Sequence, residues 1–208
     1  MTRLLVATRS RGKQAEFRQL LGPLGREIVF PDDIGLPESA AEAGLECFDS
    51  FEENARAKAR WFAEASGLDA LADDSGLEVD ALGGAPGVHS KRFAGIDGPD
   101  HEVTAANNAE VVRRLATVPE AQRTAQYRCL LVACHASRVT GGPEELVAEG
   151  ITTGRILAAA QGSGGFGYDP LFWSNDLGMS FGEASAAAKA RVSHRGRAVE
   201  ALIRALSS

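Results

Sequence analysis

Apolar residues fall into short unbroken runs and longer stretches of helical period, and in the first half of the chain the two alternate. Leu4-Leu5-Val6-Ala7 is a run of strand length. After the turn Thr8 to Gly12, Phe17, Leu20, Leu21 and Leu24 recur at helical spacing, so a strand end is expected to feed a helix start. Glu27 to Phe30 predicts a second strand closed by Pro31, and the acids and small residues from Asp32 to Gly44 predict a loop. Ser50-Phe51-Glu52-Glu53 sets a hydroxyl three residues before a carboxylate, the spacing of a capping box, so a helix is expected from there to about Ser66, ended by Gly67. Ala70 to Ala72 reads as a short strand stopping at Asp73-Asp74-Ser75-Gly76, before a loop containing Gly83, Gly84, Pro86 and Gly87.

Farther along, Val111, Val112 and Leu115 mark the buried side of a helix expected over Glu102 to Ala116. Tyr127 to His135 and Leu146 to Ile156 are strand-like, and Thr140-Gly141-Gly142-Pro143 between them favours an antiparallel hairpin. Gly162 to Gly167 forms a second glycine-rich loop before a short strand at Leu171 to Trp173. Val199, Leu202, Ile203 and Leu206 predict a last helix starting near Ser193. Early alternation and a late hairpin together imply an α/β fold with a mixed central sheet flanked by helices, in a single domain over residues 1–208. Ligands in such folds gather at strand ends, where the polar loops of this chain lie.

Composition narrows the function classes. The 208 residues are 44% hydrophobic and 24% charged, ordinary for a globular chain, and the apolar run near Met1 is too short for a signal peptide or a spanning helix. No membrane association is expected, and a cytoplasmic location is. Cys47, Cys129 and Cys134 are odd in number and include no Cys-x-x-Cys pair, which argues against a disulfide framework and a structural zinc site. His89, His101, His135 and His194 lack the spacing of a helical zinc site. A formal charge of −6 argues against broad nucleic-acid binding, since that affinity needs many cations on phosphates.

Four segments carry candidate chemistry. In Asp73-Asp74-Ser75-Gly76, two adjacent carboxylates offer hard oxygens for magnesium and Gly76 lets a phosphate approach the backbone; an acidic turn capped by Ser75 is the alternative. Thr8-Arg9-Ser10-Arg11-Gly12-Lys13 joins a hydroxyl, a flexible glycine and cations to a helix start, where free N–H groups favour a phosphate; a solvated basic turn has the same composition. It is not a Walker A loop, because Gln14 follows Lys13. Gly162 to Pro170 combines glycines with Phe166, Tyr168 and Asp169, suiting either a purine pocket or a tight turn. Lys189 and Ser193-His194-Arg195-Gly196 gather donors that would favour an oxo-purine over adenine, or a solvated helix end.

In this order the segments resemble the Ham1-like family of inosine/xanthosine triphosphate pyrophosphatases, from Thr8 to Arg195. Ala72-Asp73-Asp74-Ser75-Gly76-Leu77 followed by Gly83-Gly84-Ala85-Pro86-Gly87 is the most recognisable stretch, with Gly164 to Pro170 and Ser193 to Gly196 next. The resemblance implies a mixed sheet in two lobes with a cleft between them, a homodimer, and magnesium-dependent hydrolysis of ITP, dITP and XTP to the monophosphate and pyrophosphate. It assigns Thr8, Arg9, Ser10, Arg11, Gly12 and Lys13 to the triphosphate, and Asp74 to proton acceptance and magnesium, with Asp73 in support. Ser75, Phe166, Gly167, Tyr168 and Asp169 would contact the substrate, and Lys189, His194 and Arg195 the base. Ser10 stands where the family's opening motif usually has Asn. The stretch Glu42 to Ser50 is longer than usual, leaving Glu42, Glu46 and Glu53 as alternatives for a second acidic metal ligand, with a structural role open for the helix face bearing Asn54 and Lys58.

Overall fold

The computed structural model describes residues 2–136 and 145–206. Its centre is a seven-stranded mixed sheet in the order β2-β1-β3-β4-β5-β6-β7. Strand β1 (Arg3–Val6) pairs in parallel with β2 (Glu27–Val29) and with β3 (Ala70–Val79). Parallel neighbours need long crossovers, and helices α1 (Arg11–Leu20) and α3 (Phe51–Ser66) lie within those connections, with the one-turn α2 (Ala40–Ala43) before α3. Helix α4 (Asp100–Arg114) precedes β4 (Thr124–Cys134), which lies between β3 and β5 (Leu146–Ile156). Strands β6 (Phe172–Ser174) and β7 (Met179–Ser180) continue the sheet antiparallel, and α5 (Ala186–Val192) and α6 (His194–Leu206) complete the chain. The expected mixed α/β class is therefore met, whereas the turn Thr140 to Pro143 lies outside the described residues.

Residue contacts gather into two units. The first draws on described residues within Met1–Asp74, Cys129–Gly150 and Gly196–Ser208, and the second on Ser75–Arg128 and Ile151–Arg195. In the first unit the two-residue period of a strand sorts β1 and β3 onto two faces. Leu4, Val6 and Leu71 pack with Phe17 and Leu21 at α1 and with Ala198, Val199 and Leu202 of α6. Leu5, Ala7, Ala70 and Ala72 pack with Ala55, Ala59, Phe62 and Ala63 of α3. Full burial of each Leu or Phe here contributes about 1.5–3 kcal/mol. The second unit is built on Leu77, Val79, Val111, Leu115, Tyr127, Ile156, Phe172 and Phe181.

Helix α3 follows its sequence signals closely. Ser50 caps it by accepting from the Glu53 N–H, and Gly67 ends it with a left-handed φ of 68°. Elsewhere the boundaries move. Strand β3 does not stop at Asp73 but runs to Val79, because Leu77 and Val79 continue the buried alternation beyond the acids. The loop expected from Asp32 to Gly44 contains α2, started by a capping box between Ser39 and Glu42 that four small and acidic residues concealed. Helix α1 ends at Leu20, leaving Leu24 in a short 3₁₀ turn, and β7 and α5 have no counterpart among the expected elements.

Candidate active site

The first unit supplies a turn between β1 and α1. Within it the Thr8 hydroxyl accepts from the Ser10 N–H at 3.2 Å, and the Gln14 side-chain amide donates to the Thr8 carbonyl at 3.2 Å. Ser10 occupies the N-cap position of α1 without a side-chain cap bond, and no acid stands in the first helical turn. Arg11 is exposed, Gly12 and Lys13 are half-buried, and the first helical N–H groups are of the kind that bind anions. The Lys13 ammonium reaches Asp73 Oδ2 at 3.0 Å. Arg9 turns instead toward Asp32, Leu36 and Glu42.

Asp73 and Asp74 are adjacent on β3 and both buried. Strand alternation separates them: Asp73 follows Leu71 on the α1 face and meets Lys13, while Asp74 follows Ala72 on the α3 face. There Asn54 donates to Asp74 Oδ2 at 2.9 Å, and the Lys58 ammonium lies 3.5 Å from Asp74 Oδ1. The same ammonium donates to Glu46 Oε1 at 2.8 Å and to the Asp73 carbonyl at 2.5 Å. Burial raises the Asp74 carboxyl pKa; the charges of Lys58 and Lys13 oppose this, and the net shift is upward. Burial pulls the Lys58 ammonium down, but Glu46, Asp74 and Asp73 outweigh it and hold Lys58 charged.

The three acids left open by sequence now separate. Glu42 is taken up by Arg9 and by the Ser39 N–H, and Glu53 accepts from the hydroxyl of Ser50, the cap of α3. Glu46 alone of the three joins the Asp73-Asp74 pair, through Lys58. Among the described residues no three His, Cys, Asp or Glu side chains cluster to hold an ion by themselves. Magnesium commonly takes only one or two carboxylates from a protein, and the hard oxygens of Asp74, with Asp73 and Glu46 nearby, would suit such an ion.

The second unit holds the glycine-rich loop and the donors. Asp169 Oδ2 accepts from the Phe166 N–H at 2.7 Å and from the Lys189 ammonium at 2.5 Å, with both charged groups buried. Lys189 also lies 5.0 Å from the Phe166 ring centroid, and Arg195 lies 5.9 Å from it. Gly165 is required at its position: its φ is +72°, and a Cβ there would collide with the Asp169 carboxylate. Arg195 donates to the Ser75 hydroxyl at 2.8 Å, and the His194 ring stacks on Tyr127. Tyr168 is buried, its hydroxyl donates to the Ser90 carbonyl at 2.7 Å, and burial raises its pKa. Asn108 donates to the Gly167 carbonyl at 3.0 Å.

The sequence-predicted residues thus form two groups, Thr8 to Lys13 with Asp73 and Asp74 in the first unit, and Ser75, Phe166 to Asp169, Lys189, His194 and Arg195 in the second. Tyr127, Ser90 and Asn108 escaped sequence reading because each acts across tens of residues. Asn54 and Lys58, expected from their i,i+4 spacing on one helix face as structural residues, both meet the Asp74 carboxylate.

Comparison with known proteins places the chain in a class: the Ham1 family model matches residues 4–205, and the chain belongs to the Ham1 family. Among its relatives, a dITP/XTP pyrophosphatase of Thioalkalivibrio sulfidiphilus is 45% identical over 204 residues, covering 98% of both chains. A dITP/XTP pyrophosphatase of Ralstonia nicotianae is 44% identical, covering 99% of this chain and 97% of the relative. A HAM1 protein from Coxiella burnetii has a similar structure, with a TM-score of 0.82 at 32% identity, covering 100% of this chain and 99% of the other.

Proposed function

We propose that this chain hydrolyses non-canonical purine nucleoside triphosphates, dITP, XTP and ITP, to the monophosphate and pyrophosphate, as one catalytic domain. The observation that carries the reading is the buried Asp73-Asp74 pair flanked by Lys13 and Lys58 beside the start of α1. The names of its relatives support the substrate class.

The turn Thr8 to Lys13 binds the triphosphate through backbone N–H groups and the Lys13 ammonium. Asp74, which burial makes more basic than an ordinary carboxylate, accepts a proton from the water that attacks the α-phosphorus. Lys13 and the helix N-terminus stabilise the charge gathering on the departing pyrophosphate. Magnesium held by Asp74 and the phosphates, with Glu46 as the second acid nearby, would neutralise phosphate charge and lower the pKa of bound water.

Phe166, Gly167, Tyr168, Asp169 and Ser75 line the nucleoside site, and Lys189, His194 and Arg195 face the base. A site committed to donating toward an oxo group leaves donors unpaired against adenine, a mismatch that can reach about 10⁴–10⁵ in selectivity. The family resemblance supports a homodimer. Cys47, Cys129 and Cys134 form no disulfide among the described residues, and no helix among them is long and apolar enough to cross a membrane.

Pyrophosphate release measured with magnesium over dITP, XTP, ITP, dUTP, dATP and dGTP tests the reading. Turnover confined to the first three, and abolished in Asp74→Asn, is the expected result. Equal turnover of dATP, or an active Asp74→Asn enzyme, would remove it.

A further inference from the structure

Arg9 sits inside the turn assigned to the triphosphate, and an arginine there is ordinarily read as a phosphate ligand. Its guanidinium is already engaged. Nε donates to Glu42 Oε2 at 2.8 Å and Nη2 to Glu42 Oε1 at 2.8 Å, a bidentate pair. Nη1 donates to Asp32 Oδ1 at 2.7 Å, and Nη2 also to the Leu36 carbonyl at 3.1 Å. A guanidinium has five N–H groups, and these four bonds occupy all but one. The Arg9 side chain keeps only 20% of its surface exposed, and that of Glu42 keeps 13%.

The bonds link the turn to the segment Asp32 to Gly44, which holds a 3₁₀ turn and α2. Asp32 opens a 3₁₀ turn, Leu36 follows it, and Glu42 belongs to α2, where it also accepts from the Ser39 N–H at 3.2 Å. Lys13, four residues after Arg9, points to Asp73 instead. Two of the three cations of this turn, Arg9 and Lys13, thus face different acids, Lys13 inside the site and Arg9 outside it.

We propose that Arg9 is a positioning residue: through Glu42 and Asp32 it clamps the turn from behind, so that the Lys13 ammonium and the α1 N–H groups are pre-set for a polyphosphate. The guanidinium itself does not touch the phosphates. This rests on the triphosphate assignment above. The clamp costs nothing at the moment of binding, because its bonds exist before the ligand arrives.

The test measures binding of inorganic tripolyphosphate by calorimetry, without divalent ions, and KM and kcat for dITP, in wild type, Arg9→Met, Glu42→Gln and the double variant. Loss of the clamp should weaken tripolyphosphate binding about tenfold in each single variant, within the effect of small displacements of a binding group. The double variant should be no weaker than either single one, since both remove the same pair. KM should rise more than kcat falls. A direct phosphate contact predicts the opposite for Glu42→Gln, which would free the guanidinium and leave binding unchanged or tighter. That result, or Arg9→Met binding like wild type, overturns the proposal. Glu42→Gln is nearly isosteric and gives the answer even where Arg9→Met folds poorly. Wild-type protein that binds no tripolyphosphate would remove the triphosphate assignment and this proposal together, whereas wild-type binding with an unaffected Glu42→Gln removes this proposal alone.

Discussion

His194 lies flat on Tyr127, their ring centroids 4.6 Å apart and their planes 13° from parallel. Tyr127 is itself packed against Phe172 at 4.7 Å, so the imidazole rests on a fixed aromatic surface. Stacked aromatic pairs add about 0.5–1.5 kcal/mol beyond area burial. Tyr127→Leu should therefore lower kcat/KM for dITP by roughly three- to tenfold, mainly through KM, while the far-ultraviolet spectrum stays native. Steady-state kinetics with dITP and dATP check it, and an unchanged preference between the two bases would show that His194 needs no platform.

Gly165→Ala should be among the most damaging single-methyl changes in the chain. The added Cβ would press on the Asp169 carboxylate, which holds both the Phe166 N–H and the Lys189 ammonium. Overpacking of this kind costs about 1–3 kcal/mol, and the φ of +72° adds backbone strain for any residue with a side chain. Thermal melting and dITP turnover should both fall. Loss of turnover with an unchanged melt would place the effect in the nucleoside loop alone.

The acidic limb of the pH profile should report Asp74. A proton acceptor must be ionised, so activity disappears as pH falls through its pKa. Burial sets that pKa above the ordinary carboxylate value of about 3.9. Lys58 holds it down, so Lys58→Met should shift the limb of kcat/KM toward higher pH as well as lowering the rate. A limb that moved toward lower pH would contradict the charge arrangement.

Glu145 offers a stability test away from the site. Burial raises its carboxyl pKa, but hydrogen bonds from Arg60 and Arg56 outweigh this and the net shift is downward. With the folded pKa below the unfolded value of about 4.3, the stabilisation is complete above that value and lost as pH falls through the folded one. The arginines are partly exposed, which limits the contribution to on the order of 1 kcal/mol. Glu145→Gln should lower Tm by about 2–4 °C at pH 7, with the difference vanishing in strong acid. An equal difference at both pH values would mean packing, not charge, holds Glu145.

Helix α3 and strands β1 and β5 were legible because their signals are local: the Ser50 cap and Gly67 stop, an unbroken apolar run, a two-residue alternation. The residue types at the site were legible for the same reason, since Asp73-Asp74, Lys13, Asp169 and Lys189 announce charge that a folded chain must pair. Their partners were not. Asp73 and Asp74 are buried within a strand that Leu77 and Val79 extend, where cations from α1 and α3 meet them, and nothing in the tetrapeptide records those partners.

The amino-acid order by itself determined the helix caps, the strand alternation and the chemical kinds of group available, all of which depend on neighbours a few residues apart. Tertiary structure alone decided that Glu46, and neither Glu42 nor Glu53, joins the acid pair, that Arg9 and Lys13 meet different acids, and that His194 rests on Tyr127. Those choices are settled by which long side chains meet when distant elements pack, a matter of ångströms that spacing along the chain does not encode.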